Sequence, residues 1–458
     1  MGTQAGSYSY NGDGTLVAET SGGAITGYVQ DLTGGQMVLE RSNAAPPGTR
    51  CYHKVLCLAS QCSRRSEHHM PEAGSTSPYA ELGVRTFINA AGNYTRLGGS
   101  RMPPPVVEAM ARAAGHFVVL EELQQAVHGR LARITRNEAA YVTSGAAAAL
   151  LLSTAACMAG TDPGRARQLP DPRGMKSEVV IYRAHRNLYD YAIRTLPVRL
   201  VEIGFANTIA PAAHWELAHA LTEQTAAVHY ASASWTAPGA LPLPEVIRIA
   251  HAAGVPVIVD AAAQLPPREN LWRFTEMGAD LAIFSGGKDL RGPQSTGLIV
   301  GRPALIAACA LLGAPHHGIG RPFKVGKEEL IGLLAAVEWY MEQDEPARAK
   351  RAEQLVRQLI DALDGPRCRV SRDYPNEAGQ PLARAVLRFI GIRAEDRCAR
   401  AVALLRAGDP SIEVAPAEAD GFYVNPMTVE PEEQQPLLER LRAMIREIHS
   451  EEGDSDGR

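Results

Sequence analysis

Residues 284–301 read FSGGKDLRGPQSTGLIVG. An apolar run ends on Ser285-Gly286-Gly287, Lys288 follows at once, and a second apolar run resumes at Gly297. A lysine that serves only solubility needs no such setting. The glycines let the backbone turn sharply and approach a ligand without side chains in the way, and the GPQSTG after them sends the chain back into a strand. The stretch predicts a strand end that holds out an amine.

Similar short apolar runs lie upstream: AAYVTSG (139–145), EVVIYRAH (178–185), VRLVEIGF (198–205), TAAVHYAS (225–232) and VPVIVDAA (255–262). Between most of them the apolar residues take helical spacing, as in LPEVIRIAHAAG (243–254) and PAAHWELAHALTEQ (211–224), and before them in LEELQQAVHGRLARIT (120–135). Such alternation predicts an α/β fold with a mostly parallel sheet covered on both faces. Functional groups then gather at the carboxyl ends of the strands. A long helical stretch from Leu330 to Asp364 leads into a second, smaller α/β segment that ends in LLERLRAMIREI (437–448). The expected organisation is a large domain over 79–335 and a small C-terminal domain over 336–458.

The first fifty residues differ in style. TLVAETSGGAITGYVQDLTGGQMVLE alternates apolar and polar residues around Gly22-Gly23, the pattern of a β-hairpin with a two-residue turn. With YSYNGDG before it and YVQD within it, the segment resembles the YD-type repeats of RHS proteins. Such repeats bury their faces against neighbouring copies, which one or two copies lack, so residues 1–50 read as a remnant or fusion. Residues 51–78 are polar and aperiodic and read as linker; Met70 could be a natural start.

Composition narrows the function. The 458 residues are 45% apolar with a formal net charge of −4, which argues against a strongly electrostatic nucleic-acid binder. Three of the seven cysteines, Cys51, Cys57 and Cys62, lie near His53, His68 and His69, but the spacing fits no zinc pattern, and no metal is expected. No run is long enough to span a membrane and the N-terminus lacks signal-peptide order, which leaves the cytoplasm as the expected location.

Three strand ends carry chemistry that suits one cofactor. After YVT, Ser144-Gly145 opens a helix whose free N–H groups and hydroxyl make an anion cup. Asp260 ends VPVIVD, and Lys288 follows LAIFSGG. A helix cap, a strand-end ion pair and a solvated lysine would explain each alone. Together they match pyridoxal 5′-phosphate, whose phosphate takes N–H donors, whose ring nitrogen takes a carboxylate and whose aldehyde takes a lysine.

The block SGGK-x-x-x-GPQ-x-TG, with INAAGNYTRLGGSRMP (88–103), GIGRPFKVGKEELIGLLAAVEWY (318–340) and FYVNPMTVEPEEQQPLLERL (422–441), resembles fold-type I pyridoxal-phosphate enzymes. Within them it is similar to the group of selenocysteine synthase (L-seryl-tRNA selenium transferase) and D-glucosaminate-6-phosphate ammonia-lyase. The resemblance covers about Tyr79 to Ile448. It implies that Lys288 is the Schiff-base lysine and Asp260 the ring-nitrogen partner. Ser144, Gly145 and Ala146 fall on the phosphate cup, with Ser285 adding a hydroxyl. It further implies His185 as the ring stacked on the cofactor, although a helix-capping histidine also fits. Gln264 would contact the cofactor's ring oxygen, and sits four residues after the aspartate where related cysteine desulfurases have three. Arg96, Arg101, Arg321 and Lys324 are candidates for a substrate carboxylate or phosphate, with surface ion pairs as the alternative. The expected protein is a homodimeric lyase or transferase acting at Cα and Cβ of a small amino acid, most of all by β-elimination. Selenium transfer, transamination or racemisation, and a non-catalytic scaffold on the same fold are the alternatives.

Overall fold

The computed structural model describes residues 7–10, 16–21, 24–30, 36–41, 77–205, 212–233 and 239–453. The chain divides into two units, Met1–Ser75 and Thr76–Arg458. In the first, strands β1 (Ser7–Tyr10), β2 (Leu16–Ser21), β3 (Ala24–Gln30) and β4 (Gln36–Arg41) pair antiparallel in chain order, with Ser21 opposite Ala24. The expected Gly22-Gly23 turn, the clustered cysteines and the linker as far as residue 76 lie outside the described residues.

The second unit holds two sheets. The larger uses β6 (Ala139–Thr143), β7 (Glu178–Tyr182), β8 (Arg199–Ile203), β9 (Thr225–Ala231), β10 (Val257–Asp260), β11 (Leu281–Ser285) and β12 (Gly297–Gly301). Their order is β6-β12-β11-β10-β9-β7-β8, parallel throughout except for β12, which runs antiparallel to both neighbours. The strands read as near-continuous apolar runs because both faces are covered. On one face lies the helix Gly145–Ala159, which follows β6 directly. GAAAALLLSTAACMA has no polar side, as expected of a helix buried between a sheet and the outer helix Pro303–Leu312. Burying Leu150, Leu151 and Leu152 contributes roughly 1.5–3 kcal/mol each.

The smaller sheet has β13 (Cys368–Asp373), β14 (Arg384–Phe389), β15 (Ser411–Ala417) and β16 (Gly421–Val424) in the order β13-β14-β16-β15. Its last strand is β5 (Phe87–Ala90), drawn from before the large sheet and parallel to β15. Ile88 and Ala90 of β5 are buried in the small sheet's core, so residues 87–90 pack with the C-terminal layer rather than within a contiguous 79–335 block. The long helix expected over 330–364 is two helices, Lys327–Met341 and Glu345–Leu363. Asp344 caps the second by accepting from the Ala347 N–H, and Pro346 sits in its first turn, so the sequence punctuates itself there. Among the described residues no helix is long and apolar enough to cross a membrane.

The helix Leu120–Ile134 guards the sheet at β6, its edge strand. His128 Nε2 accepts the Val142 N–H at 3.1 Å, and its ring lies 4.8 Å from that of Tyr141. An edge amide that would otherwise be open is thereby satisfied. Burial holds the His128 imidazole down at about 4, from 6.5. Above 6.5 both folded and unfolded chains are neutral at this site; below it the unfolded chain takes a proton that the folded chain refuses. This contribution to stability declines as pH falls from 6.5 to about 4. His128→Gln, which keeps an acceptor without the titration, should move the midpoint of acid unfolding, followed by circular dichroism, to lower pH.

Candidate active site

Strand register brings the candidate groups to one rim. Thr143 pairs with Gly297, Gly297 with Ser285, Ile283 with Asp260, and Asp260 with Ala231. Strand alternation then sets Asp260 and Ser285 on the face of Ile258 and Ile283, which is the face covered by the helix Gly145–Ala159. That helix starts two residues after Thr143, so its N-terminus lies at the same rim and on the same face.

Ser144 is the N-cap of this helix, yet its side chain makes no capping bond, and its hydroxyl has no partner among the described residues. Ser285 is likewise half-buried without a described side-chain partner. The cup is floored by Gly297: a Cβ there would stand 2.5 Å from the Gly145 carbonyl carbon and 2.7 Å from Thr143 Oγ1. Helix N–H groups and two free hydroxyls are the donor set that a phosphate takes.

Lys288 projects from a closed loop. The Gly292 N–H donates to Gly286 O at 2.8 Å and the Arg291 N–H to Lys288 O at 3.0 Å. Ser100 Oγ reaches across from the segment after β5 to Gly287 O at 2.9 Å and Lys288 O at 2.6 Å. Gly287 is obligatory, because a Cβ would stand 2.4 Å from Gln294 Cα. Lys288 Nζ lies 6.0 Å from the centre of the Tyr189 ring and makes no hydrogen bond or ion pair among the described residues. Burial lowers the amine's pKa, while the carboxylates of Asp260 and Glu377 act in the opposite direction. Asp260 Oδ1 accepts the Ala262 N–H at 3.0 Å.

His185 is fully buried, its ring edge-on to Tyr230 at 4.5 Å and to Tyr182 at 5.2 Å. Nδ1 accepts the Ala231 N–H at 3.2 Å, which leaves the proton on Nε2, and Nε2 has no partner. Burial, with His229 nearby, pushes its pKa down to about 3, so the ring is neutral. The ring in contact range of the lysine is the exposed Tyr189, four residues on. Gln264 gives its amide N–H to Ala378 O at 2.9 Å, tying the loop after Asp260 to the small sheet.

The cationic candidates separate. Arg101 lies among Glu430, Glu432 and Glu433 at 3.2–3.6 Å, so an incoming anion would have to displace carboxylates. Arg96 has no ion pair among the described residues and lies 6.0 Å from the Tyr94 ring centre. Arg321 begins the short turn Arg321–Phe323, with Lys324 just after it; neither has an ion pair or a described contact with Lys288. Sequence reasoning missed Glu377 and Arg384. Arg384 bonds Glu377 and Asp373 at 2.6 Å each, and Glu377 is the second carboxylate facing Lys288. It comes from the loop between β13 and β14, with no motif to announce it. Tyr189 did have a signal, an aromatic residue in the HRNLYDY run.

Orphaned His185 Nε2, the helix cup with its two hydroxyls, and a desolvated lysine in the field of Asp260 all fit pyridoxal phosphate. Among the described residues no cluster of three or more His, Cys, Asp or Glu side chains could hold a metal ion.

Residues 194–396 match the aminotransferase class-V family. The chain is 37% identical over 384 residues to a 5′-C-glycyluridine monooxygenase-decarboxylase of a Streptomyces species, covering 81% of this chain and 92% of the relative. It is 36% identical over 375 residues to the D-glucosaminate-6-phosphate ammonia lyase of Salmonella typhimurium, covering 80% and 96%. A solved structure of D-glucosaminate-6-phosphate ammonia-lyase superposes with a TM-score of 0.70 at 33% identity, covering 82% of this chain and all of that one.

Gly297→Ala should push Gly145 out of place and weaken phosphate binding. The expected loss is on the order of tenfold in affinity for pyridoxal phosphate, read by titrating the apoprotein.

Proposed function

The chain belongs to the aminotransferase class-V family of pyridoxal-phosphate enzymes, among relatives of D-glucosaminate-6-phosphate ammonia lyase, and from that premise we propose that it is a lyase that eliminates a group from Cβ of a small amino acid. The observation that carries this reading is Lys288, a desolvated amine at the same rim as Asp260 and the helix cup.

Bound pyridoxal phosphate supplies an electron sink that acidifies the Cα–H of an amino acid. The residues do the rest. Ser144, the N–H groups at Gly145 and Ala146, and the Ser285 hydroxyl would hold the phosphate. The Asp260 carboxylate, with Oδ1 fixed by the Ala262 N–H, would keep a proton on the ring nitrogen. Lys288 moves the proton at Cα, and its lowered pKa raises the fraction of neutral amine at neutral pH. His185 stays neutral and offers the Nε2 proton as a hydrogen-bond donor, so it does not act as the base. Arg96 lies beside Tyr94, whose hydroxyl also feels Glu377, and a substrate anion would meet it there.

The Streptomyces relative supports a second reading, monooxygenation with decarboxylation. Screening amino acids for ammonia and α-keto acid release, with oxygen uptake and carbon dioxide release measured in parallel, separates the two. Ammonia and keto acid without oxygen uptake support the lyase; oxygen uptake with carbon dioxide release supports the second.

We also propose a homodimer. The consecutive residues Phe117, Val118 and Val119 are exposed at 103%, 50% and 57%, an apolar stretch that a partner subunit would cover. The RHS-like segment is proposed to be dispensable.

Borohydride reduction of the holoprotein and peptide mapping should place the pyridoxyl label on Lys288, and Lys288→Ala should lose the label and all turnover while keeping the fold. A label on another lysine would overturn the assignment. A protein starting at Met70 should keep the dimeric elution volume and the bound cofactor's visible absorbance; a colourless or monomeric product would show that the N-terminal segment takes part.

A further inference from the structure

Asp289, the residue after Lys288, is almost fully buried and forms a two-pronged pair with Arg348, at 2.7 and 2.9 Å. Burial opposes the charge on Arg348, but the Asp289 carboxylate, together with Tyr340 and Glu345, outweighs it and raises the guanidinium's pKa. Arg348 stands in the first turn of the helix Glu345–Leu363, which packs on the small sheet. The preceding helix, Lys327–Met341, packs with the large sheet instead. Arg348 therefore sits just past the junction between the two layers.

A second grip on this junction comes from the other catalytic loop. Arg268, eight residues after Asp260, donates to Met341 O at 2.5 Å and to Gln343 O, and lies 3.9 Å from Glu345. Glu345 also accepts from the Tyr340 hydroxyl at 2.8 Å. The chain segments that carry Lys288 and Asp260 are thus both fastened to residues 341–348. Neither side chain of the Asp289–Arg348 pair reaches the lysine amine, and nothing in the chemistry above uses it.

We infer that Arg348 is a positioning residue: by clamping Asp289 it sets the backbone of the Lys288 loop relative to the layer junction and so places the amine for capture of the cofactor. Ser100 also fixes the loop, through Gly287 O and Lys288 O. With both ends held, the amine has little freedom. With the Arg348 end released, the loop keeps its fold but not its aim. The inference rests on Lys288 being the cofactor lysine.

The test uses the full chain and measures the rate at which apoprotein captures added pyridoxal phosphate on Lys288, trapped by borohydride and located by peptide mapping. Arg348→Met leaves a buried carboxylate unpaired and is expected to lose stability. The double variant Asp289→Leu/Arg348→Met removes both charges, and Arg348→Lys keeps the charge without the fork. In every variant that folds by circular dichroism, capture on Lys288 should slow by about tenfold or more, and kcat should fall with KM little changed. Arg302→Met is the control: it breaks another pair to a buried aspartate, Asp280 at 2.8 Å, at the opposite end of β11. It should lower thermal stability and leave the capture rate as in the wild type. Wild-type capture in a folded Arg348→Lys or double variant overturns the inference, as does equal slowing in the Arg302→Met control. A label that maps to a different lysine would instead reject the cofactor assignment, so the two failures are told apart.

Discussion

The contact of Gly297 on Gly145 is the constraint from which the site's geometry follows. It exists because β12 enters the sheet antiparallel between β6 and β11. That insertion sets the cup at the end of β6 two strand spacings, roughly 10 Å, from the end of β11. A side chain at Gly297 would separate the helix N-terminus from the sheet. The loop of Lys288 joins β11 to β12 and must be short enough to allow this hairpin. Its internal bonds, Gly286 to Thr296 and Gly292 to Gly286, are the closure of that same turn. Strand order and lysine placement are one fact seen twice.

Electrostatics at the rim is a contest between burial and two carboxylates. Partial burial disfavours the ammonium form of Lys288, and Asp260 and Glu377 favour it. Burial wins, and Glu377's bond to Arg384 helps explain why, since a carboxylate already facing a guanidinium attracts a second cation less. His185 illustrates the same physics without a counter-charge. With only burial and a second histidine acting on it, its pKa falls to about 3.

Much of this was legible in the sequence because it is carried by local pattern. Apolar runs with small residues at their ends mark β6 to β12, and Asp260 and Lys288 stand directly at run ends, where register must bring them together. Glu377 and Arg348 were not legible. Each reaches the site through contacts between layers more than eighty or about sixty residues from its partner in the chain, and nothing in a lone charged residue encodes that. For Arg101 the sequence left a substrate anion and an ion pair both open, because its partners lie more than three hundred residues away, at Glu430, Glu432 and Glu433. His185 shows a subtler limit: its place after β7 was readable, but whether its face or its edge meets the site depends on Tyr182 and Tyr230, which the pattern shows only as core.

Strand β5 carries a consequence for how such a protein can change by recombination. Residues 87–90 complete the small sheet, and the residues just after them, through Ser100, hold the lysine loop of the large one. A crossover in the helix junction near residue 343 would pair a C-terminal layer with an edge strand selected for a different parent. The C-terminal layer is therefore poorly suited to exchange as a cassette. Variation in it has to arise in step with a segment some three hundred residues upstream, a tie between distant stretches of one chain that a linear division into modules hides.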